Sequence, residues 1–462
     1  MVSGVKLILS HFLPLFVHCL VKRRRQSFIK ACGDPKKTQE YLKKRLESFC
    51  KRPFPESPTE YTDYVGVKEL TQEKVKFFET TSGSSGPKKE IPYTPSLLKS
   101  FENMFLLWVD DLMNHSGLRF KSGKFFMSIS PTIGEKKVDD RKYLSPMINF
   151  ILSPFLVSNP NTHISKTGDE FLLKISKDLV NSPKLEIISV WSPTYLLSLL
   201  EFIDTHKNEL GLTDVDFKDI WPHLKLISCW THAQAKIPAS RIKSYFPDVM
   251  IQGKGLLMTE APVTIPWSEA KGFVPLLTET LIEFWDGERI LGLHEGDLGQ
   301  TYTLLISQFN GLLRYNTHDK VKVTGLYYKT PLLEFMGREG RCTDLAGEKF
   351  SEELLRDLFK EDTATFFLVP DQREEIPRYF ILTDKILPFE EKLRTIYHYH
   401  LARELNQLKP IVIKITNNPM KIYFEFCQSK GMVLGDIKER ILFSELDDAN
   451  KFLEWIDREN LP

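Results

Sequence analysis

Thr80-Thr81-Ser82-Gly83-Ser84-Ser85-Gly86-Pro87-Lys88-Lys89 is the stretch on which the reading of this 462-residue chain turns. Its residues are too small and polar to fill a core, so a loop is expected. Glycines let several backbone N–H groups close on one anion, while the hydroxyls and lysines add donors and charge. The natural ligand is a polyphosphate, although a plain Gly/Ser turn would have the same composition. A Walker A loop needs four residues between its first glycine and a Gly-Lys pair followed by Ser or Thr. That spacing is absent, which disfavours an ordinary P-loop nucleotidase.

Outward from the loop, Val75 to Phe78 reads as a strand leading in. On the far side Thr94-Pro95 reads as an N-cap with an N1 proline. Leu97, Leu98, Phe101, Met104, Phe105, Trp108, Val109 and Leu112 then recur at helical spacing, and this aromatic stripe is expected to be core. Short apolar runs follow at 125–129, 185–191, 224–230, 249–252 and 281–285, some separated by helical stretches such as 195–203. Strands alternating with helices imply a mostly parallel sheet. From 301 to 336 the texture becomes closely spaced strands (301–307, 312–315, 320–324, 332–336) with Asn310-Gly311 as a turn, an antiparallel unit. The remainder reads as helix 350–359, strands 365–369 and 378–382, helix 390–407, strands 410–416 and 421–427, and helix 446–457.

The expected architecture is therefore α/β. A large domain, residues 1–337, carries mostly parallel sheets plus a β-barrel-like unit. A glycine-bearing hinge at 338–347 and a small α+β domain at 348–462 complete it. Length supports the division, since single cores stop growing at roughly 250 to 300 residues.

Charge narrows the function. Lysine and arginine number 62 against 61 acidic residues, so the chain has no global footprint for nucleic acid. The six cysteines, Cys19, Cys32, Cys50, Cys229, Cys342 and Cys427, form no CxxC pair and read as reduced thiols of a cytoplasmic protein. Leu7 to Leu20 is apolar but interrupted by Ser10, His11, Pro14 and His18, whereas a membrane span needs about 20 apolar residues. A packed first helix is expected there rather than a membrane anchor, despite the Lys22-Arg23-Arg24-Arg25 flank.

Three further loci carry chemistry. Gln252-Gly253-Lys254-Gly255-Leu256-Leu257-Met258-Thr259-Glu260 reads as a strand running into glycines and ending on Thr-Glu, with Glu260 able to hold magnesium by one carboxylate. Gly311-Leu312-Leu313-Arg314-Tyr315-Asn316-Thr317-His318-Asp319 and the segment Gly337 to Lys349 follow. No Gly-x-Ser-x-Gly elbow or HExxH stands anywhere in the chain.

In that order these loci resemble the core signatures of the adenylate-forming superfamily of acyl-CoA synthetases and luciferases. More closely, Phe78 to Ser85 with Ile91-Pro92-Tyr93-Thr94, Gln252 to Leu257, Gly299-Gln300-Thr301-Tyr302, Gly311 to Tyr315, Asp319 and Val323-Thr324-Gly325 look like the auxin-responsive (Gretchen Hagen) acyl-acid amido synthetase family and its bacterial relatives. The resemblance implies activation of a small carboxylic acid by ATP and Mg2+ as an acyl-adenylate. It then implies transfer of the acyl group to an amine or amino acid. An acid-thiol (acyl-CoA) ligase and a non-catalytic nucleotide-binding relative are the alternatives.

By the same resemblance Thr81, Ser82, Gly83, Ser84, Ser85 and Lys88 or Lys89 would bind phosphates. Gly255, Thr259 and Glu260 would lie by the α-phosphate and metal. Asp319 would take the ribose hydroxyls, Arg338 or Arg341 the nucleotide, and Asp344 the hinge. Lys438 matches the superfamily's late catalytic lysine without its usual sequence context. Trp191, Trp230 and Thr231, expected at strand ends, are candidates for the acyl pocket. Two departures stand out: Leu256 replaces the tyrosine of plant members, and the phosphate loop is one residue shorter than the superfamily form.

Overall fold

A computed structural model describes residues 21–50, 52–64, 70–81, 89–115, 117–127, 152–157, 168–232, 235–338, 342–362, 364–430 and 440–458. The expected helix at Leu7 to Leu20 lies outside the described residues. Two strands, β1 (Phe77–Thr81) and β2 (Lys89–Tyr93), form an antiparallel pair that brackets the Gly/Ser loop, in register from Phe77 opposite Tyr93 to Thr81 opposite Lys89. The Thr94 hydroxyl then accepts from Leu97 N at 3.3 Å and opens the helix Pro95–Asn114, as its sequence predicts.

The parallel sheet is built from β3 (Phe125–Met127), β4 (Ile187–Ser189), β5 (Leu226–Cys229) and β6 (Met250–Gly253), adjacent in that order. Each strand is short and apolar, and helices Gly168–Val180, Pro193–Thr205 and Lys236–Tyr245 supply the cover. Ile188, Ile227, Leu196, Leu200 and Ile242 are fully buried between sheet and helices. This is the crossover arrangement parallel strands require.

Beyond it lie the hairpin β7 (Thr264–Trp267) with β8 (Gly272–Pro275) and a five-stranded antiparallel sheet. That sheet contains β9 (Leu281–Trp285), β10 (Ile290–Gly292), β11 (Thr301–Ser307), β12 (Tyr315–Tyr327) and β13 (Thr330–Arg338), in the order β10-β9-β11-β12-β13. Its buried face shares one core with Phe28 and Trp267, whose rings lie 5.1 Å apart. Arg25 ties the first described helix, residues 21–32, to this core. Its guanidinium lies over the Trp267 ring at 4.6 Å and pairs with Asp110 at 3.3 Å and Glu269 at 3.2 Å. One member of the basic cluster is thus spent inside the fold rather than offered to a surface.

The C-terminal part opens with the two-residue pair β14 (Cys342–Thr343) and β15 (Phe350–Ser351). It continues with β16 (Phe366–Asp371) antiparallel to β17 (Arg378–Thr383), and β18 (Val412–Ile415) parallel to β17. Its helices fill two clusters drawn from residues 345–456 alone. It also touches the parallel-sheet unit: Leu405 enters that unit's core, and the Ser198 hydroxyl donates to Asn406 O at 2.8 Å.

Three sequence readings are corrected. Residues 421–427 are not a strand but part of helix Pro419–Ser429, opened by Asn418, whose side chain accepts from Lys421 N. Residues 390–407 form two helices, Phe389–Arg394 and Tyr397–Glu404, rather than one. Of the expected strand 312–315 only Tyr315 is in a strand: β12 begins there and runs through the polar Asn316 to Asp319 into the expected strand 320–324.

Candidate functional site

The loop residues Ser82, Gly83, Ser84, Ser85 and Lys88 lie outside the described residues, and Thr81 enters only through its backbone as the last residue of β1. Lys89, the first residue of β2, is buried, and its ammonium donates to the Tyr315 hydroxyl at 2.9 Å. It also lies 5.4 Å from the Tyr315 ring centroid and 5.8 Å from that of Tyr61. Tyr315, at the start of β12 and 1% exposed, in turn donates to Glu260 Oε1 at 3.5 Å. A cation, a phenol and a carboxylate from three distant segments therefore meet where the Gly/Ser loop closes.

Glu260 reaches this point by a different route from the one expected. It does not end a parallel strand, because β6 stops at Gly253. It sits instead in a turn closed by the bridge between Leu257 and Pro262 and by Met258 N donating to Ala261 O at 3.2 Å. Tyr93 fixes the turn from β2, donating to Thr259 O at 2.8 Å, and Asn310 Nδ2 donates to Glu260 O at 3.4 Å. Gly255 has a backbone reason for its identity. Its φ is +77°, and a Cβ there would stand 2.6 Å from Thr264 Oγ1, the hydroxyl that accepts from Leu256 N.

Asp319 is likewise interior to a strand rather than at its end, since β12 continues to Tyr327. Its register partner across the ladder is Arg338, so two residues expected at the nucleotide are cross-strand neighbours. The side chain of Arg338 and the whole of Arg341 are outside the described residues, as is Lys438. His318, at φ +59°, kinks β12 just before Asp319 and is held by Glu60 at 2.9 Å.

At the carboxyl edge of the parallel sheet, where α/β sheets bind ligands, Trp191 and Trp230 follow β4 and β5. Their rings lie 6.2 Å apart, and Trp230 N donates to Trp191 O at 2.9 Å. Thr231 packs against the backbone of Gly253, where a Cβ would come within 2.5 Å of its hydroxyl. His232 beside it lies edge-on to Phe273 and 3.5 Å from Glu334, with burial holding its imidazole below the ordinary value. Lys254 Nζ donates to Ser189 Oγ at 2.7 Å and lies over the Trp191 ring. Trp108, expected as core, is half-buried here and donates to Gln252 Oε1 at 2.8 Å.

Sequence reasoning named Trp191, Trp230 and Thr231 but missed Lys254, Trp108 and Tyr315 as members of the site. Only Lys254 offered a signal, a charged residue between two glycines after an apolar strand. Burial pushes the neighbouring Cys229 thiol up to about 12, which leaves it neutral and unsuited to act as a nucleophile. Among the described residues no group of three or more His, Cys, Asp or Glu side chains could hold a metal ion.

Asp344 begins the hairpin loop between β14 and β15, where its carboxylate accepts from Gly347 N at 2.6 Å. Glu348, in the same loop, is 1% exposed and accepts from Leu345 N, Ala346 N and the Tyr379 hydroxyl.

The GH3 family N-terminal domain matches residues 67–215 and the GH3 family central domain matches residues 271–338. A probable indole-3-acetic acid-amido synthetase GH3.11 of Oryza sativa subsp. japonica is 28% identical over 255 residues, 46% of this chain and 41% of that protein. A second from the same plant, GH3.7, is 37% identical over 82 residues, 18% of this chain and 13% of that protein. The chain thus spans less than half the length of these curated relatives. Among solved structures, the AtGH3.15 acyl acid amido synthetase in complex with 2,4-DB matches with a TM-score of 0.54 at 17% identity, over 96% of this chain and 95% of that one. A 2-hydroxyisobutyryl-CoA ligase matches with a TM-score of 0.58 at 11% identity, over 95% and 93%. The fold is that of the adenylate-forming enzymes.

Proposed function

We propose, from the match of residues 67–215 and 271–338 to the GH3 family N-terminal and central domains, that this chain is a GH3-type ATP-dependent ligase joining a small carboxylic acid to an amine or amino acid. The observation that carries the reading is the meeting of Lys89, Tyr315 and Glu260 at the mouth of the Gly/Ser loop. A free carboxylate resists amine attack because it is anionic and lacks a leaving group. In the first step its oxygen attacks the α-phosphorus of ATP, and pyrophosphate leaves. In the second step the amine nitrogen attacks the acyl carbon, the acyl–oxygen bond to AMP breaks, and the nitrogen loses a proton.

The chain's residues serve these steps by position and charge. Loop residues Thr81 to Ser85 with Lys88 and Lys89 bind the phosphates. Lys89, held by the Tyr315 hydroxyl, puts a fixed positive charge where negative charge develops. Gly255 and Thr259 shape the turn beside the α-phosphate. Asp319 accepts the ribose hydroxyls, with Arg338 or Arg341 on the nucleotide.

Glu260 fits magnesium in the way that ion is commonly bound beside phosphates, by one or two carboxylates with several waters kept. Among the described residues its carboxylate has a single, long contact, which leaves oxygen positions available. The ion would neutralise phosphate charge. Lys438 is assigned the second cation of the adenylation centre.

We assign residues 1–337 to the large domain, 338–347 to a hinge with Asp344 within it, and 348–462 to a domain that moves between the two steps. The separate cores of residues 345–456 support that division. The site of action is the cytoplasm, with no nucleic-acid partner. No described helix is long and apolar enough to cross a membrane.

The test is pyrophosphate exchange on the full chain with a panel of carboxylic acids, followed by amide formation with amines and, in parallel, thioester formation with CoA. Acid-dependent exchange that Glu260→Ala or Asp319→Ala abolishes in folded protein is the expected result. No exchange with any acid would overturn the ligase reading, and thioester without amide would replace the acceptor.

A further inference from the structure

The amino edge of the parallel sheet carries a cleft that the ligase reading leaves unused. It lies where β5 and β6 begin, beside the connection from helix Pro95–Asn114 to β3, and it encloses about 570 Å3, within the range of small-molecule sites. β5 and β6 are each four residues long. At about 3.3 Å per residue they set the cleft roughly 10 Å or more from the edge that carries Trp191 and Trp230.

The cleft is amphipathic. Its floor is apolar: Leu118 and Leu224 are buried, Met250 is half-buried, and Leu118 and Met250 pack with Leu112 and Leu226. Its rim is cationic, with Arg119 and Lys121 exposed and Lys225 half-buried. Lys225 already pairs with Glu186 at 3.1 Å. Among the described residues no carboxylate pairs with the Arg119 guanidinium or the Lys121 ammonium, so two charges stand at the mouth without a counter-ion. The acid in the lining, Asp248, faces Lys218 at 3.6 Å.

The segment that presents Arg119 and Lys121 is fixed from beneath. Glu186, 1% exposed, accepts from Lys121 N, Ser122 N and Gly123 N, each at 2.7 Å. Three successive N–H groups make an anion cradle, and Gly123, at φ +63°, supplies the turn that closes it. Burial opposes the charge on Glu186, but Lys121 N and the other donors outweigh it and hold the carboxyl below its ordinary value. The backbone is therefore in place before any ligand arrives, which lowers the ordering cost of binding.

We propose that this cleft is a second ligand site, for an organic monoanion with an apolar body: the body on Leu118, Leu224 and Met250, the anionic head between Arg119 and Lys121. A polyphosphate fits less well, because Asp248 stands on the same wall and the apolar floor offers its oxygens nothing. The site is independent of the ligase reading, and its ligand need not be a substrate.

The experiment is equilibrium dialysis of the full chain with naphthalene-2-sulfonate, an anion with no carboxylate to activate. The neutral naphthalene-2-sulfonamide and inorganic pyrophosphate are measured beside it. Wild type is expected to bind the sulfonate in preference to both. Arg119→Glu with Lys121→Glu should weaken the sulfonate roughly tenfold or more, the effect of losing charge-assisted contacts. The same double variant should newly bind 2-naphthylmethylammonium, a gain that misfolding cannot produce. Asp248→Asn should tighten the sulfonate by roughly two- to fivefold, the scale of one exposed charge interaction.

Unchanged sulfonate affinity in the double variant would place the ligand elsewhere and overturn the assignment. Equal binding of the sulfonamide would remove the cationic rim from it, and tighter pyrophosphate binding at the same residues would make the cleft a phosphate patch, so either result refutes the proposal. A wild-type chain that binds no sulfonate does the same.

Discussion

Replacing Glu348 by glutamine should change how stability depends on pH, and the structure fixes the sign. The carboxyl lies in the β14–β15 hairpin loop, 1% exposed. It accepts from Leu345 N at 2.6 Å, from Ala346 N at 2.8 Å and from the Tyr379 hydroxyl. Those donors favour the ionised form, but burial and then the nearby Asp344 charge outweigh them and push the group up to about 7, from 4.5. The folded state therefore holds a proton that the unfolded chain releases near pH 4.5. Stability from this group is fully present below that pH and is lost as pH rises through about 7. At 1.36 kcal/mol per pK unit the loss amounts to about 3 kcal/mol. Glu348→Gln removes the titration. Its amide NH2 faces a donor that a carboxylate oxygen accepted from, so the variant should be less stable than wild type at pH 5. It should recover most of that deficit by pH 8. Urea midpoints of both proteins at the two pH values, read by the summed fluorescence of the seven tryptophans, measure the double difference. A wild-type-to-variant gap that is the same at pH 5 and pH 8 would refute the claim that Glu348 is protonated in the fold.

Tyr315→Phe should keep the ring packed but strip Lys89 and Glu260 of their shared hydroxyl, lowering kcat/KM for adenylation by roughly ten- to a hundredfold (about 1.5–3 kcal/mol). Pyrophosphate exchange with unchanged activity would remove Tyr315 from the site. Asp344→Pro, which fixes φ and deletes an N–H, should alter adenylation and acyl transfer by clearly different factors, and single-turnover measurement of the two steps checks it. Unchanged rates in both steps sink the hinge assignment. Arg25→Ala removes one ion-pair partner each of the buried Asp110 and Asp111, and the cation over Trp267. It should cost about 2–3 kcal/mol, below the 3–5 of a fully buried pair because Arg25 is partly exposed. An unmoved urea midpoint would contradict that.

How far the sequence carried these conclusions varies by element. The parallel strands were legible because burial on both faces leaves a largely apolar run, visible in Ile187-Ile188 and Leu226-Ile227, with the small Ser189 and Ser228 buried beside them. Helix Pro95–Asn114 was legible through its cap and its period. Helix Pro419–Ser429 was misread because Ile422, Tyr423, Phe424 and Phe426 favour strands in isolation. The surrounding core overrode that preference: Ile422, Tyr423, Phe426 and Cys427 share one buried helical face. The Asn418-Pro419 start signal was present and was outweighed.

The site divides along the same line. Residues whose function rests on local backbone could be found in sequence, as Gly255 was, because a positive φ calls for glycine within a few positions. Residues defined by whom they meet could not. Lys89 and Tyr315 are 226 positions apart, and Trp108 and Gln252 are 144 apart. Nothing in the neighbourhood of Tyr315 distinguishes a phenol that bridges a cation to a carboxylate from one that fills a core, and it does both. The same holds for Glu260, whose position comes from a turn that Tyr93 and Asn310 hold from other segments rather than from a strand end. A carboxylate placed by a turn can shift when the turn shifts. The placement of Glu260 beside Tyr315 and Lys89 is therefore tied to the packing of β2 against Thr259, and not to the sheet that carries Trp191 and Trp230.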